Sequence, residues 1–104
     1  MDDVKYQLRY LPIFYEDMAE VVDYISNDLQ NPAVALKLID LTEQAVLKRL
    51  DNPVSFQPIR SKKNRKHPYY RINVNNYAVF YVVIDNVMEV RRFLYSRRDI
   101  QSII

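Results

Sequence analysis

Two groups of basic side chains have the residue types that bind phosphate. The first lies in residues 60–67 and the second in residues 91–98, where Tyr95 stands among the arginines. Cationic side chains neutralise phosphates and release counterions, so both groups predict binding of a nucleic acid or another polyanion. A solubilising loop is the alternative for the first group. The groups are Arg60, Lys62, Lys63, Arg65, Lys66 and His67, and then Arg91, Arg92, Arg97 and Arg98.

His67 is the single histidine of the chain, and a side chain with a reference pKa of about 6.5 can act as an acid or a base near neutral pH. A solvated surface histidine is the alternative. The nine tyrosines offer rings on which bases could stack. Most have apolar neighbours and are predicted to lie in the core or at its rim, whereas Tyr95 and Tyr81 are predicted to face the concave side of the sheet.

The formal net charge of +2 is the sum of two unlike halves. Residues 1–51 hold ten acids and five bases, a balance of −5, whereas residues 52–104 hold three acids and ten bases, a balance of +7. No acidic residue falls between Asp51 and Asp85. This asymmetry predicts that the surface for a polyanion or an acidic partner lies in the second half.

The composition excludes several classes of protein. Because the 104 residues include no cysteine and no glycine, disulfides, thiolate zinc sites and glycine-rich phosphate loops are excluded. No group of aspartate, glutamate and histidine residues has the spacing of metal ligands, so we predict no metal and no cofactor. The chain has no apolar run of about 18 residues, so we expect no membrane span. Its start, Met-Asp-Asp-Val, is acidic where a signal peptide is basic, so we expect no signal peptide and a cytoplasmic location. The length fits one domain, residues 1–104.

The first half of the chain predicts a strand followed by a helical hairpin. Apolar and polar residues alternate over residues 6–11, which is typical of a short strand, and Pro12 ends it. Apolar steps of three and four over residues 13–29 predict a helix with a solvated acidic side. Asn31 and Pro32 predict the N-cap and first turn of a second helix, apolar over a broad arc, that ends before Pro53. The acids of the solvated side are Glu16, Asp17, Glu20 and Asp23.

The second half predicts three strands, at residues 71–74, 77–84 and 87–95. The pairs Asn75-Asn76 and Asp85-Asn86 predict tight turns, so the strands should form an antiparallel meander. Ser96 is predicted to cap a short C-terminal helix. The predicted fold class is α+β in two layers, with the helices on one face of the sheet and the other face free for function.

Three motifs in residues 70–99 resemble those of the RelE/ParE superfamily of bacterial toxins. They are Tyr-Arg-x-x-Val, Tyr-x-Val-Phe-Tyr and Arg-Arg-Phe-x-Tyr-x-Arg-Arg-Asp. The helical hairpin and the basic loop of residues 52–69 also match the superfamily in order and spacing. The resemblance implies a RelE/ParE-like fold and the toxin of a type II toxin–antitoxin, or plasmid stabilisation, system. It also implies a cognate antitoxin, which forms a hetero-oligomer with the toxin and covers the basic groups and an apolar groove.

The superfamily includes ribosome-dependent mRNA endonucleases and inhibitors of DNA gyrase, so the implied partners are the ribosome and mRNA, or gyrase. In the nucleases a 2′-hydroxyl attacks the adjacent phosphate without a metal ion. By position, the resemblance gives Arg71, Arg97 and Arg98 the role of binding phosphate, and Tyr95 or His67 that of proton transfer. The basic loop and Tyr81 would bind nucleic acid or antitoxin.

Two positions depart from the nuclease pattern. Asn73 and Ala78 stand where the nucleases commonly carry cations. Losing one preorganised phosphate contact removes several kcal/mol of transition-state stabilisation, about 3 by analogy with an oxyanion-hole donor. We therefore consider three hypotheses: an mRNA endonuclease, a gyrase inhibitor without catalysis, and a decayed member that binds antitoxin only.

Overall fold

A computed structural model describes residues 5–60, 63 and 65–104. These residues form the helical hairpin and the antiparallel meander predicted from the sequence, so the α+β class is confirmed. No helix in the described ranges has the length and apolar content needed to cross a lipid bilayer. The elements are strand β1 (Gln7–Tyr10), helix α1 (Pro12–Asp23) with a π-helical turn (Tyr24–Asp28), helix α2 (Pro32–Leu50), strands β2 (Tyr70–Val74), β3 (Tyr77–Ile84) and β4 (Val87–Tyr95), and a 3-10 turn (Ile100–Ser102).

The four strands form one sheet in the order β1-β4-β3-β2. Strands β2, β3 and β4 are antiparallel neighbours, whereas β1 runs parallel to β4, with Gln7 opposite Val87 and Tyr10 opposite Val90. A period-two pattern identifies a strand but not its partner, so the pairing of β1 with β4 was not predicted from the sequence.

The two hairpin turns need positive φ without glycine. Asn75 has φ of 53° and Asp85 has φ of 56°. Asparagine and aspartate tolerate this left-handed region because their short polar side chains bond locally. The predicted turns are therefore confirmed, and they place β2, β3 and β4 side by side.

Helix α2 begins as its sequence predicts. The Asn31 side chain accepts a hydrogen bond from the Val34 N–H at 3.3 Å, and Pro32 occupies the first turn. Such a cap stabilises a helix by about 1 kcal/mol. The helix ends at Leu50, before Pro53, as expected.

Helix α1 packs its apolar side on the sheet, with Phe14 buried and Met18 partly buried against the core. Its acidic side is not uniformly solvated. Asp17 is 8% exposed and forms an ion pair with Arg92. The prediction that Asp17 lies on a solvated face is wrong, because periodicity places a residue on a helix but does not identify a partner on a distant strand.

The sheet is apolar on both faces. The face under the helices carries a core that includes Val79, Tyr81, Met88 and Val90. The opposite face carries a second cluster of buried residues, against which further isoleucines pack. This cluster comprises Tyr69, Ala78, Phe80, Val82, Leu94 and Ile104, with Ile59, Ile84, Ile100 and Ile103 partly buried against it.

The C-terminal segment covers part of the face that was predicted to be free, so that prediction is wrong. Ile104 is 2% exposed, and the Gln101 side chain donates to the Arg60 carbonyl at 2.8 Å. Ser96 does not cap a helix, because its Oγ donates to the Asn76 carbonyl at 2.8 Å and the helical turn begins only at Ile100. Apolar residues of this segment bury themselves by packing on the sheet.

Candidate functional site

Arg71 lies on the sheet face opposite the helices, because strand residues alternate and its neighbour Ile72 belongs to the helix-side core. Its Nε donates to Asn73 Oδ1 at 2.7 Å, and its Nη2 lies 3.4 Å from the Ser96 carbonyl oxygen. The guanidinium carbon is 5.5 Å from the centre of the Phe80 ring. Arg71 therefore contacts the segment that follows β4 while staying half-buried.

Tyr95 lies on the other face, toward the helices. Its ring meets Tyr77 edge-on at 5.8 Å, and Tyr77 stacks at 5.2 Å on Phe93 of the helix-side core. Tyr95 and Arg98 line a shared cavity of about 250 Å³ beside α1. Burial, together with the neighbouring Tyr24 and Tyr95, raises the pKa of the Tyr77 hydroxyl. The structure thus brings Tyr95 together with Arg98 and separates both from Arg71.

His67 lies apart from both Arg71 and Tyr95, in a cavity of about 300 Å³ that it lines together with Arg65, Lys66 and Arg91. Arg97, in contrast, is exposed in the segment after β4. The residues to which the resemblance gives catalytic roles are therefore spread over three surfaces and do not form one constellation.

Two carboxylates, Glu89 and Asp17, pair with three arginines of strands β1 and β4. Glu89 accepts from Arg91 Nε at 2.7 Å and from Arg9 Nη2 at 2.7 Å. Burial alone would raise the pKa of the Glu89 carboxyl, but the hydrogen bonds from the two arginines outweigh burial and lower it. Arg91 is therefore held in place by a carboxylate that is itself 6% exposed.

Arg92 is held in the same way. Its Nε and Nη2 donate to the two oxygens of Asp17 at 2.7 Å and 3.0 Å. The hydrogen bond to Asp17 raises the pKa of Arg92 against the opposing effect of burial. Arg92, which interrupts the apolar pattern of its strand, is thus an ion-pair partner of α1.

The basic loop presents cations around the edge of the second cluster. Arg60 and Lys66 are exposed, whereas Arg65 is partly buried and donates through Nη2 to the Ile104 backbone oxygen. Lys63 is exposed and makes an interaction with its surroundings. Lys62 lies outside the described residues.

Tyr81 does not face an open surface. It has no exposed area, and its hydroxyl donates to the Pro53 carbonyl at 2.7 Å and accepts from Arg49 Nη1 at 3.0 Å. Burial raises the pKa of Tyr81 despite the lowering effect of Arg49. The prediction that Tyr81 contacts nucleic acid or antitoxin is wrong, because the alternation of side chains along β3 places Tyr81 under the helices.

The sequence did not single out Arg49, because it lies in the last turn of an ordinary helix. It reaches the Arg71 carbonyl at 3.3 Å, and its guanidinium lies 3.5 Å from the centre of the half-exposed Phe56 ring. Arg49 therefore joins α2 to β2 and to the loop after α2.

An apolar groove between β1 and the two helices was also not located from the sequence. It encloses about 360 Å³ and includes Tyr10, Tyr15 and Leu47 in its lining. Tyr15 is 57% exposed and Leu47 is 47% exposed. The broad apolar arc of α2 was the available signal, and part of that arc is open to solvent. In the part of the chain that the structure describes, no group of three or more acidic, histidine or cysteine residues could hold a metal ion.

Two solved structures share this fold. The chromosomal ParDE TA system from P. aeruginosa matches with a TM-score of 0.67 and 14% identity, covering 88% of this chain and 96% of that chain. The YoeB dimer from Staphylococcus aureus matches with a TM-score of 0.56 and 21% identity, covering 88% of this chain and 97% of that chain. No curated protein sequence matches the chain significantly. The chain has a RelE/ParE-like fold.

A family model defines the class more closely. The model described as the ParE toxin of type II toxin-antitoxin system, parDE, matches residues 8–100. The chain belongs to this family, within the RelE/ParE superfamily, and is a toxin of a type II toxin–antitoxin system. The recognition from the motifs in residues 70–99 is confirmed, and an antitoxin is the partner that such a system supplies.

Proposed function

We propose that this toxin acts by binding a protein target, DNA gyrase, and not by cutting RNA. The observation that carries the proposal is the separation of Arg71 from Tyr95, which lie on opposite faces of one sheet. A general base must lie within about 3 Å of the proton that it takes, and the phosphate-binding cation must contact the same reacting group. A phosphate held by Arg71 is therefore out of reach of Tyr95.

The charges near Arg71 support the same conclusion. Ala78 has no exposed area, and the Asn73 side chain is bonded to Arg71 itself. Arg91 and Arg92 form ion pairs with carboxylates. Positions 73 and 78 therefore supply no cation beside Arg71 to stabilise a developing phosphorane charge, which lowers the attainable rate of phosphate attack there.

The helical hairpin supplies a surface suited to a protein partner. Four apolar side chains of α2 and the turn before it are about half exposed or more, and exposed apolar patches mark interaction sites. They are Leu29 at 55%, Val34 at 48%, Leu36 at 65% and Leu47 at 47%. We assign this surface to the toxin's target.

The antitoxin is assigned to the adjoining apolar groove and to the basic loop. A segment that folds on contact would place apolar side chains against Tyr15 and Leu47 and acidic side chains near Lys66. Because Leu47 and Leu36 lie eleven residues apart on α2, they share one side of the helix. An occupied groove would then block the target surface, which accounts for neutralisation.

Induced expression of three variants tests the proposal. Leu36→Glu should abolish growth arrest and inhibition of gyrase supercoiling, whereas Arg71→Ala should retain both. Lys37→Glu, which introduces the same side chain at the neighbouring exposed position, is the matched control. Circular dichroism of each variant confirms folding.

One observation favours the endonuclease as a second candidate: Arg71 contacts the Ser96 carbonyl, next to Arg97. For that function, mapping of mRNA 5′ ends after induction would show cuts that disappear in Arg71→Ala. Growth arrest with cut mRNA and normal supercoiling would overturn the gyrase proposal. Harmless expression without antitoxin would overturn both functions and leave an antitoxin-binding member.

A further inference from the structure

We propose that the cavity lined by Arg65, Lys66, His67 and Arg91 is a binding site for a phosphate group. The cavity has a volume of about 300 Å³, and none of its lining residues is acidic. It lies apart from both Arg71 and Tyr95, and the proposal does not depend on the target of the toxin.

Arg91 is preorganised for this role. Its Nε is fixed by Glu89 at 2.7 Å and its Nη1 by the Tyr69 hydroxyl at 3.2 Å. A guanidinium has five N–H donors in a rigid fork, so the donors not engaged in these two bonds remain for an anion. Because the side chain is already ordered, binding would lose little conformational entropy.

Arg65 carries an unmet donor. Its Nη2 donates to the Ile104 backbone oxygen, but its Nε is buried and has no hydrogen-bond partner among the described residues. Buried polar groups are normally paired, and a buried donor left unpaired destabilises the fold. An anion oxygen in the cavity would satisfy this donor.

The two arginines are held near each other by one ring. The guanidinium of Arg65 lies 5.3 Å and that of Arg91 lies 5.6 Å from the centre of the Tyr69 ring. Both guanidinium groups line the same cavity, so an anion bound there would be attracted to each of them. The nearby Glu89 carboxylate does not neutralise the excess of positive charge in the cavity, because it is shared between Arg91 and Arg9.

This excess favours phosphate over a single carboxylate. Arg65, Lys66 and Arg91 each carry a positive charge, and His67 adds a ring N–H donor. A phosphate offers up to two negative charges and several acceptor oxygens, which match converging cations. The phosphate could be the terminal group of a nucleotide or a backbone phosphodiester of a nucleic acid strand.

Titration of the full chain with sodium phosphate tests the site, with sodium chloride holding ionic strength constant. We expect the NMR signals of the Arg65 and Arg91 Nε–H groups to shift with saturation. Lys66→Gln should weaken binding about tenfold, the effect of losing one charge-assisted hydrogen bond. Lys37→Gln, an exposed lysine on α2, should bind as the unaltered chain does.

Two single-stranded oligonucleotides of the same sequence, one with and one without a 5′-phosphate, distinguish the two sources of phosphate. Tighter binding of the phosphorylated strand identifies a terminal phosphate as the ligand. Equal binding of the two strands that is weakened in Lys66→Gln identifies a backbone phosphodiester.

Three results would overturn the site: shifts no larger than chloride produces, unchanged affinity in Lys66→Gln, or tighter binding of a glutamate peptide than of every phosphate probe. None of these depends on gyrase inhibition, so failure of the site and failure of the proposed function are separate outcomes.

Discussion

Arg92 donates to both carboxylate oxygens of Asp17, at 2.7 Å and 3.0 Å, across 75 positions of sequence. The same carboxylate accepts the backbone N–H of Phe93 at 3.0 Å. One side chain of α1 is therefore bonded to two consecutive residues of β4. Because Asp17 is buried, the strength of this connection depends on all three bonds being made together.

Asp17→Ala should lower the free energy of unfolding by about 3 kcal/mol. Removing one partner of a buried pair leaves the other charge uncompensated, and the partial exposure of Arg92 places the loss at the lower end of the usual range. Urea denaturation measures it. Glu20→Ala, on the exposed side of the same helix, should change stability by less than about 0.5 kcal/mol. Equal losses in both variants would contradict the assignment.

The stability contributed by Glu89 should depend on pH. Its folded-state pKa lies below the ordinary value of 4.5, so the contribution is present above that value and is lost as pH falls through the folded-state pKa. Urea unfolding of the unaltered chain and of Glu89→Gln should therefore differ more at about pH 6.5 than at about pH 3. Glu43→Gln, at an exposed position, serves as the control. A difference that grows toward acid pH would show the opposite sign.

Tyr81→Phe should lower stability by about 1 to 2 kcal/mol, because it leaves the Pro53 carbonyl and an Arg49 N–H without their partner. Thermal unfolding followed by circular dichroism measures the loss. Tyr24→Phe removes a hydroxyl from a half-exposed ring and should have little effect. No difference between the two variants would mean that the buried hydroxyl bonds contribute nothing net.

Asp85→Ala should destabilise the β3–β4 hairpin by about 1 kcal/mol, because alanine is strained at the positive φ of 56° that this residue adopts. Asn86→Ala changes the other central turn residue, whose φ is not positive, and should be tolerated better. Chemical denaturation of the two variants compares them. The prediction fails if Asn86→Ala is the more damaging substitution.

Affinity for the cognate antitoxin should fall as salt rises, because exposed cations such as Arg60 and Lys66 are screened. Calorimetric titration from about 50 to about 500 mM sodium chloride should show dissociation constants rising at least tenfold. A complex indifferent to salt would show that burial in the apolar groove dominates.

Local chemistry made much of the fold predictable. Asn31 beside Pro32 and Asn75 beside Asn76 carry their conformations in their own side chains, and both were identified. Asp17 and Tyr81 were misplaced because their surroundings come from residues far along the chain. The same reason applies to the candidate site: residue types located the cations, but only the fold separates Arg71 from Tyr95.

The pairing of β1 with β4 has a consequence for synthesis on the ribosome. A chain made from its N-terminus exposes β1 long before β4 exists, so the first strand stays without its sheet partner until β4 has been synthesised. Arg92, the ion-pair partner of α1, arrives at the same late moment. We therefore expect truncated translation products to remain unfolded and harmless, and the active toxin to appear only once its last strand is free.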